Sequence, residues 1–165
     1  MGTSIGGAFD YLVAGVNPNT STTLLAALNT VDPTAVLIDS VPTKVSQSMV
    51  IIGKAEPESV MGQSGSQQLI VLGAGRSTED YEIPCFVYAY RDGPNPKPAR
   101  DAALALFDVV AGWLATDRTL GGVLLQGRIA DISSVTLNQD VDGESGATRL
   151  AWLSFSIHCK NHYIP

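Results

Sequence analysis

The sequence has few basic residues, and those it has are not clustered. Among 165 residues, 10 lysines and arginines stand against 16 aspartates and glutamates, which gives a formal net charge of -6 at pH 7. Proteins that grip nucleic acid by its phosphates carry a basic patch, so this composition argues against that class, although DNA could slide past such a surface. Since 45% of the residues are hydrophobic, the chain can bury a core, and we predict one domain over residues 1–165.

Cysteines, a basic leader and long apolar runs are also scarce. The two cysteines, Cys85 and Cys159, lie in apolar, strand-like runs, so we expect reduced core residues. The N-terminal stretch lacks the positive charge of a signal peptide, and Asp10 interrupts its apolar residues. No apolar run approaches the roughly 20 residues that cross a membrane. We therefore expect a protein without a membrane partner that is made and kept in a cytoplasm.

The motifs of common cofactor and nucleophile sites are incomplete. Residues 73–75 (Gly-Ala-Gly) follow an apolar run, but Thr78 stands where a dinucleotide fingerprint has its third glycine, and a strand rather than a helix is expected next. Residues 62–65 (Gly-Gln-Ser-Gly) only partly resemble a nucleophile elbow, and no separate signal indicates a Ser-His-Asp arrangement. We therefore predict no catalytic residue, no cofactor and no enzymatic activity.

Two patterns resemble fragments of metal sites. Residues 138–143 match the first half of a calcium loop, but Arg149 occupies the position of the bidentate acid, and both flanks are strand-like. His158 and His162 are four residues apart without the intervening glutamate of a zinc protease. On a strand both would point to one side while Cys159 faces the other. We predict a hairpin turn at the first pattern and no metal site at either.

The clearest secondary-structure signal is a helix over residues 97–117. Apolar residues recur there at spacings of three and four, which places them on one face of a helix: Ala99, Ala103, Leu106, Phe107, Val110, Ala111 and Leu114. Pro98 suits a first turn, and we expect Asp101 in that turn, near the positive end of the helix dipole. Residues 119–122 (Thr-Leu-Gly-Gly) should stop the helix, because glycine enters the left-handed conformation common at helix C-termini.

The remaining elements follow from shorter patterns. Residues 1–31 form a helical N-terminal segment, with helices at 5–16 and 22–31 separated by Asn-Pro-Asn at 17–19. Strands are expected at 35–39, 48–53, 68–72 and 81–91, with Pro84 near an edge, a strand start or a bulge. Residues 54–67 form a long irregular loop, and residues 123–162 a long hairpin whose connection, at 138–146, contains Asp142-Gly143.

The fold class predicted from these elements is α+β. It consists of a mixed, mainly antiparallel sheet with one long amphipathic helix packed on it, a short N-terminal helical segment and a long C-terminal β-hairpin.

Several of these segments resemble the tail terminator proteins of long-tailed bacteriophages. The strongest likeness is the Ala-rich helix followed by Asp-Arg-Thr-Leu-Gly-Gly-Val at 117–123 and then a long hairpin. Residues 49–53 (MVIIG) resemble the family's early strand that ends in glycine, and residues 81–84 (YEIP) begin a segment similar to its next strand. Residues 151–158 resemble its last strand. The similarity extends over roughly residues 36–162.

The resemblance implies a virion structural protein of the tail and neck, assembled in the host cytoplasm. Such a protein forms a ring, expected to be a hexamer, on the end of the finished tail tube. It stops tube polymerisation and presents the surface on which the head connector or a head-closure protein docks. DNA passes through the lumen without specific binding, which an acidic lining would favour by repelling phosphates.

Two segments are the candidate contact elements of this ring, the loop over 56–66 and the hairpin tip over 140–146. The predicted interface residues are Glu56, Glu58, Met61, Gln63, Ser64, Asp140, Asp142 and Glu144. Solvated loops without a partner are the alternative for both segments. For the whole chain, the alternatives are another neck or tail protein, such as a head-closure or tail tube protein, and a small hydrolase or ligand-binding domain.

Overall fold

The computed structural model describes residues 4–39, 46–53, 77–124, 129–142 and 148–163. The helices in this part of the chain are α1 (Ser4–Ala14), α2 (Leu24–Asn29) and α3 (Lys97–Thr116). The strands are β1 (Val16–Asn17), β2 (Thr22–Thr23), β3 (Val36–Ile38), β4 (Ser48–Ile52), β5 (Ser77–Asp92), β6 (Ala130–Asp142) and β7 (Thr148–Tyr163). The predicted loop at 54–67 and the predicted strand at 68–72 lie outside the described residues.

The main sheet has five strands in the order β3-β4-β5-β7-β6. Its first pair, β3 and β4, is parallel, and the other neighbours are antiparallel. Strands β5 and β6 therefore run in one direction, and β3, β4 and β7 run in the other. This mixed, mainly antiparallel sheet with a long helix and short N-terminal helices confirms the predicted α+β class.

The core lies between the helices and one face of the sheet. Alternate residues of β5 and β7 point to this face because side chains alternate along a strand, and they are buried against α3: Tyr81, Ile83, Cys85, Val87, Ala89, Ala151, Leu153, Phe155, Ile157 and Cys159. On the opposite face, Met49, Ile51 and Phe86 form a second buried apolar cluster. Strand β4 is thus buried on both faces, as expected for a continuous apolar run inside a sheet.

Both cysteines are buried and neither forms a disulfide. Burial raises the pKa of the Cys85 thiol to about 12. At neutral pH Cys85 is therefore a protonated, apolar side chain, and a buried thiol of this kind is chemically inert. The prediction of reduced core cysteines is confirmed.

Helix α3 has the predicted apolar face, with one addition and one correction. Trp113 is buried beside Leu114, so the apolar arc is wider than the sequence pattern indicated. Asp101 is not in the first turn, because the helix begins at Lys97. Asp101 instead lies one position further on and forms ion pairs with Lys97 and Arg100.

The N-terminal segment departs from two plain helices. Helix α1 ends at Ala14, and the next residues form the small β1–β2 hairpin, in which Val16 is exposed rather than part of an apolar helix face. Helix α2 covers only Leu24–Asn29 of the predicted 22–31. Its N-cap is Thr23, whose hydroxyl accepts a hydrogen bond from the Ala26 backbone N–H.

The first arm of the C-terminal hairpin is displaced along the chain relative to its prediction. Strand β6 begins at Ala130 rather than at 123, and it continues to Asp142 through residues that were predicted to be part of the connection. Residues 138–142 pair with 152–148 of β7, which supplies backbone partners to a stretch of turn-favouring composition. A register shift between Ser133 and Thr136, with Ser134 at a φ of 55°, marks a bulge in β6.

Pro84 lies inside β5 rather than at its start. On one side it pairs with Ser156 of β7. On the other side, the described pairing with β4 ends one residue away, at Cys85 opposite Ile52. The prediction of an edge, a strand start or a bulge is therefore not met by the strand start, and because proline lacks a backbone N–H donor, Pro84 fits a position just beyond the described pairing with β4.

A polar cluster centred on Asp32 joins the turn after α2 to β4 and β5. Its carboxylate accepts hydrogen bonds from the Ser48 hydroxyl at 2.5 Å and the Thr34 hydroxyl at 2.7 Å, and it forms an ion pair with Arg91 at 3.1 Å. Burial alone would raise the pKa of Asp32, but these hydrogen bonds and the Arg91 charge lower it to about 2.

Replacing Asp32 by asparagine is expected to flatten the acid dependence of stability. The folded-state pKa of Asp32 lies below its ordinary 3.8, so its contribution is complete above about pH 4 and is lost as the pH falls towards 2, an amount of about 2 kcal/mol. Urea unfolding at a series of pH values measures this slope, with Asp108→Asn, an exposed acid on α3, as the control. If the stability of the Asp32→Asn variant falls with decreasing pH as steeply as that of the wild type, the lowered pKa assigned to Asp32 is contradicted.

Candidate interaction edges

Strand β6 is the long edge strand of the sheet that the described residues form. It has 13 residues, and among the described strands it pairs only with β7. A strand at a sheet edge presents unpaired backbone N–H and C=O groups, which another chain can use to extend the sheet. The opposite edge, β3, is short and pairs only with β4 in the same set of strands.

The exposed apolar side chains of the described residues concentrate near these two edges. Val135, Leu137 and Val141 of β6 are 49%, 39% and 44% exposed, and we call them the β6-side patch. Leu25 of α2, Val31 just after it and Val36 of β3 are also exposed, and we call them the β3-side patch. Val16 and Ile129 are the further members of this exposed set. Apolar side chains left exposed beside a sheet edge can be covered when another chain associates there.

A groove runs beside the first residues of β6, on the side of the sheet that carries the helices. It has a volume of about 250 Å³ and lies between the C-terminal half of α3 and β6. Its lining is mainly apolar, with an ion pair at one end: Ala111, Leu114, Ala115, Arg118, Ala130, Asp131 and Ile132. Among the described strands, β6 thus has no pairing partner on its outer side, and a groove with both apolar and charged lining residues adjoins it.

The turn between α3 and β6 is organised by the buried carboxylate of Asp117. One carboxylate oxygen accepts from the Tyr11 hydroxyl and the Gly121 N–H, both at 2.6 Å, and the other accepts from the Thr119 hydroxyl at 2.6 Å. Burial raises the pKa of Asp117, but these hydrogen bonds outweigh it and lower the pKa below the ordinary value. Asp117 is therefore ionised at neutral pH and holds the turn together.

This turn also fixes where β6 begins. The Ala130 N–H donates to the Arg118 carbonyl at 2.7 Å, so the residue after Asp117 is joined directly to the start of the strand. Leu120, Gly121 and Gly122 all have positive φ. The sequence predicted that these glycines stop the helix. The helix has already ended at Thr116, so the glycines instead shape the turn that follows it.

Gly121→Ala is expected to destabilise the fold by about 2–4 kcal/mol. A Cβ at this position would lie 2.5 Å from the Tyr11 ring, and the backbone has a φ of +66°. The ring cannot easily move, because it contacts Gly15, packs on Trp113 at 5.4 Å and is anchored through its hydroxyl. The cost adds overpacking to backbone strain.

Gly122→Ala is the matched control. Its φ of +85° gives a similar backbone strain, but nothing lies within 4 Å of the added Cβ, so about 1 kcal/mol is expected. Chemical unfolding of both variants measures the difference. Equal losses at the two glycines would show that the Tyr11 contact contributes nothing.

The structure describes only part of the predicted interface. Asp140 is exposed on β6 opposite Leu150, and Asp142 is the last residue of that strand, opposite Thr148. They therefore lie on a paired strand rather than on a hairpin tip. The other predicted interface residues lie outside the described residues: Glu56, Glu58, Met61, Gln63, Ser64 and Glu144.

The sequence interpretation did not identify the apolar residues of the β6 edge. Residues 137–142 alternate between less polar and more polar side chains, which is a strand pattern. Their content of Asn and Asp favours a turn, and the sequence interpretation followed the composition rather than the alternation. Arg118 and the α3 side of the groove were also missed. These residues precede β6 in the chain and become its neighbours only because the turn at Asp117 brings the chain back towards the helix.

The candidate metal residues take other roles in the described part of the chain. His158 Nε2 lies 2.5 Å from Asp80 Oδ1, on the face opposite the buried Cys159. Asn138 and Asp140 lie on the extended backbone of β6 rather than around a calcium loop. Within the described ranges, no group of three or more His, Cys, Asp or Glu residues is arranged to hold a metal ion. No described helix combines the length and apolarity required to span a membrane.

The chain was compared with protein families, curated proteins and solved structures. No protein-family model matches the chain, and no curated protein matches its sequence. Among solved structures, the chain is similar to one described as "Virion of native gene transfer agent (GTA) particle", with a TM-score of 0.40 and 18% sequence identity. The alignment covers 93% of this chain and 92% of that chain.

Proposed function

We propose that this chain is a virion structural protein that terminates the tail tube of a long-tailed bacteriophage. Copies form a ring, a hexamer, on the end of the finished tube and stop its polymerisation. The exposed face of the ring is the docking surface for the head connector or a head-closure protein. DNA passes through the ring without specific binding, and the protein is assembled in the host cytoplasm into the tail and neck of the virion.

The observation that carries this proposal is the position of β6 at the edge of the described sheet, with its exposed apolar side chains and adjoining groove. Strand β6 has 13 residues, and although a bulge and Asp140 interrupt it, as in many protected sheet edges, it is long for a strand that faces only solvent. Here the edge is apolar at Val135, Leu137 and Val141. A protein that works by association with further chains gives these residues a role, and assembly into a ring is such a case.

Two further features support the proposal. The order of elements, α3 followed by the β6–β7 hairpin, is the order that the resemblance to tail terminators implies. The formal net charge of -6 suits a ring through which DNA slides, because acidic groups repel phosphates and basic groups would hold them.

A tube-elongation assay tests the proposal with purified components. Purified protein added to polymerising tail tube protein is expected to stop growth, with a fixed number of copies at each tube end whatever the tube length. Copies in proportion to tube length would identify a tail tube protein instead. Binding to DNA-filled heads without any effect on tubes would identify a head-closure protein, and binding to neither would remove the virion role.

The loop over residues 56–66 is predicted separately to contact a partner of the ring. Deleting residues 61–66 is expected to leave a folded protein that no longer stops tube growth, because Met61, Gln63 and Ser64 are proposed to face a partner. Circular dichroism checks the fold, and the elongation assay checks capping. If the deletion variant still caps tubes, this loop is not a contact element, although the ring itself could stand.

A hydrolase or ligand-binding domain is the candidate from a different functional class. It would require polar groups that converge in a pocket and have perturbed pKa values. The buried Asp32 and Asp117 have lowered pKa values, but their hydrogen bonds join helices, turns and strands of the fold. These contacts favour a role of the two aspartates in holding the fold together over a role in catalysis or ligand binding.

A further inference from the structure

We infer that copies of this chain join head to tail, with the β6 edge of one copy against the β3 edge of the next. This inference rests on the proposed ring and names the surfaces that close it. The partner at each edge is a second copy of the same chain, and the contact continues the sheet from one copy into its neighbour.

The first argument is that the chain has two apolar patches rather than one. The β6-side patch and the β3-side patch lie at opposite edges of the five-stranded sheet. A two-fold dimer uses the same surface on both partners and would leave the second patch exposed. A head-to-tail contact buries one patch of each kind at every junction, and it generates a ring when the rotation closes.

The second argument is the direction of the edge strands. Strand β6 runs opposite to β3, because β3 is parallel to β4 and the sheet then alternates through β5 and β7 to β6. If every copy has the same orientation around a common axis, β6 of one copy and β3 of the next are antiparallel. This is the geometry in which short strands pair with straight, unstrained hydrogen bonds. The helices then lie on one side of the extended sheet in all copies.

The third argument is charge. In an antiparallel pair, the end of β3 points towards the start of β6, and a register that sets β3 opposite the first residues of β6 brings the two ends together. Asp39, exposed, directly follows β3, and Arg118, 49% exposed at its side chain, is joined to Ala130 at the start of β6. Residues 4–39 contain aspartates and no lysine or arginine, and Asp32 among them is already paired with Arg91, so Asp39 is the acidic group next to β3 that this contact would use. Arg118 is bonded to Asp131 within its own copy and has further donors for a second carboxylate.

Two double variants separate this arrangement from the alternatives. Leu137→Lys with Val141→Lys places charge on the β6-side patch, and Val31→Lys with Val36→Lys places it on the β3-side patch. All four positions are exposed, so the folded monomers should be retained, which circular dichroism checks. Asp10→Lys, at an exposed position on α1, is the control for added positive charge. Light scattering and native mass spectrometry measure the assembly.

The expected result has three parts. The wild type and the Asp10→Lys control form closed oligomers, and each double variant alone is monomeric. An equimolar mixture of the two double variants forms a one-to-one dimer that grows no further, because one intact β6 edge and one intact β3 edge remain between them. Adding Asp39→Lys to the partner that supplies β3 weakens this dimer about two- to fivefold, as expected for an exposed ion pair.

Three results would overturn the inference: a monomeric wild type, a β3-side variant that assembles like the wild type, or a mixture that stays monomeric. The second of these would indicate a two-fold contact through β6 alone. The tube-elongation assay is independent of this outcome, since a chain could cap tubes through other surfaces. Failure of the edge contact and failure of the tube-capping function are therefore distinguishable.

Discussion

Replacing Asp117 by alanine is expected to lower the free energy of unfolding by about 3–4 kcal/mol, the largest loss for any single truncation considered. The substitution removes the acceptor of the Tyr11 hydroxyl, the Thr119 hydroxyl and the Gly121 N–H. Each buried donor left without a partner costs about 1–3 kcal/mol, and re-entry of water recovers part of this. For a chain of this size the melting temperature should fall by about 10 °C.

Asp131→Ala is the matched control for the loss of a carboxylate. Asp131 also forms an ion pair, with Arg118, but both side chains are substantially exposed, so its loss should cost less than about 1 kcal/mol. Thermal and urea unfolding of the two variants, side by side, measure the difference. A loss at Asp117 no larger than that at Asp131 would contradict the role given to the Asp117 carboxylate.

The pH dependence provides a second readout for Asp117. Hydrogen bonds lower its pKa in the folded protein despite its burial, so its contribution is present above the ordinary aspartate pKa and is lost as the pH falls through the lowered value. Asp117→Asn should remove this acid-sensitive component while retaining an acceptor oxygen. The wild type and the variant should therefore differ most at neutral pH and converge in acid.

Replacing Asn17 by aspartate is expected to destabilise the protein by about 3–4 kcal/mol at neutral pH, more than alanine at about 2–3 kcal/mol. Asn17 is fully buried, and its amide donates to the Trp113 carbonyl at 3.0 Å and to the Thr116 hydroxyl at 2.8 Å. A carboxylate has no N–H to donate. It would also place a negative charge at the C-terminus of α3, where the helix dipole disfavours one.

The aspartate and alanine variants should respond to pH in opposite ways. Burial and the nearby carbonyl oxygen would raise the pKa of an aspartate at position 17. The penalty is then present at high pH and decreases as the pH falls and the carboxyl takes up a proton. Alanine cannot show this recovery. Unfolding free energies from pH 8 down to about pH 5 test this, and an aspartate variant that is no less stable than the alanine variant would contradict the capping role of Asn17.

The elements predicted best were those whose sequence pattern is sufficient by itself. The spacing in α3 extends over many residues, and the structure places this helix at Lys97–Thr116, with the apolar positions that the pattern selects facing the core. The last strand was also predicted, and the structure has it at Thr148–Tyr163. Its core-facing positions include Ala151, Leu153 and Cys159, which its sequence pattern did not single out.

The errors fall where a distant partner overrides local preference. Residues 138–142 have turn-favouring side chains, but β7 supplies a complete set of backbone partners and extends them as a strand. Asn17 was interpreted only as a helix breaker, yet its amide caps a helix whose end lies almost 100 residues further along the chain. No pattern near Asn17 could reveal this contact.

The candidate interaction edges show the same division. The hairpin and its order after α3 could be predicted, whereas the contact residues assigned to it stay a prediction. The particular residues of the β6-side patch could not, because their exposure depends on which strand occupies the edge of the sheet. Arg118 was recognised only as part of a turn motif, and its place at the groove depends on the fold of that turn around Asp117.

The central claim, termination of the tail tube, is tested most directly by electron microscopy of lysates from phage that lack this gene product. The account predicts over-long tails without heads beside separate DNA-filled heads, because nothing stops tube growth and nothing docks the head. Tails of normal length beside empty or leaking heads would contradict it and would indicate head closure. A complete absence of tails would also contradict it, since the protein would then belong to the tube itself.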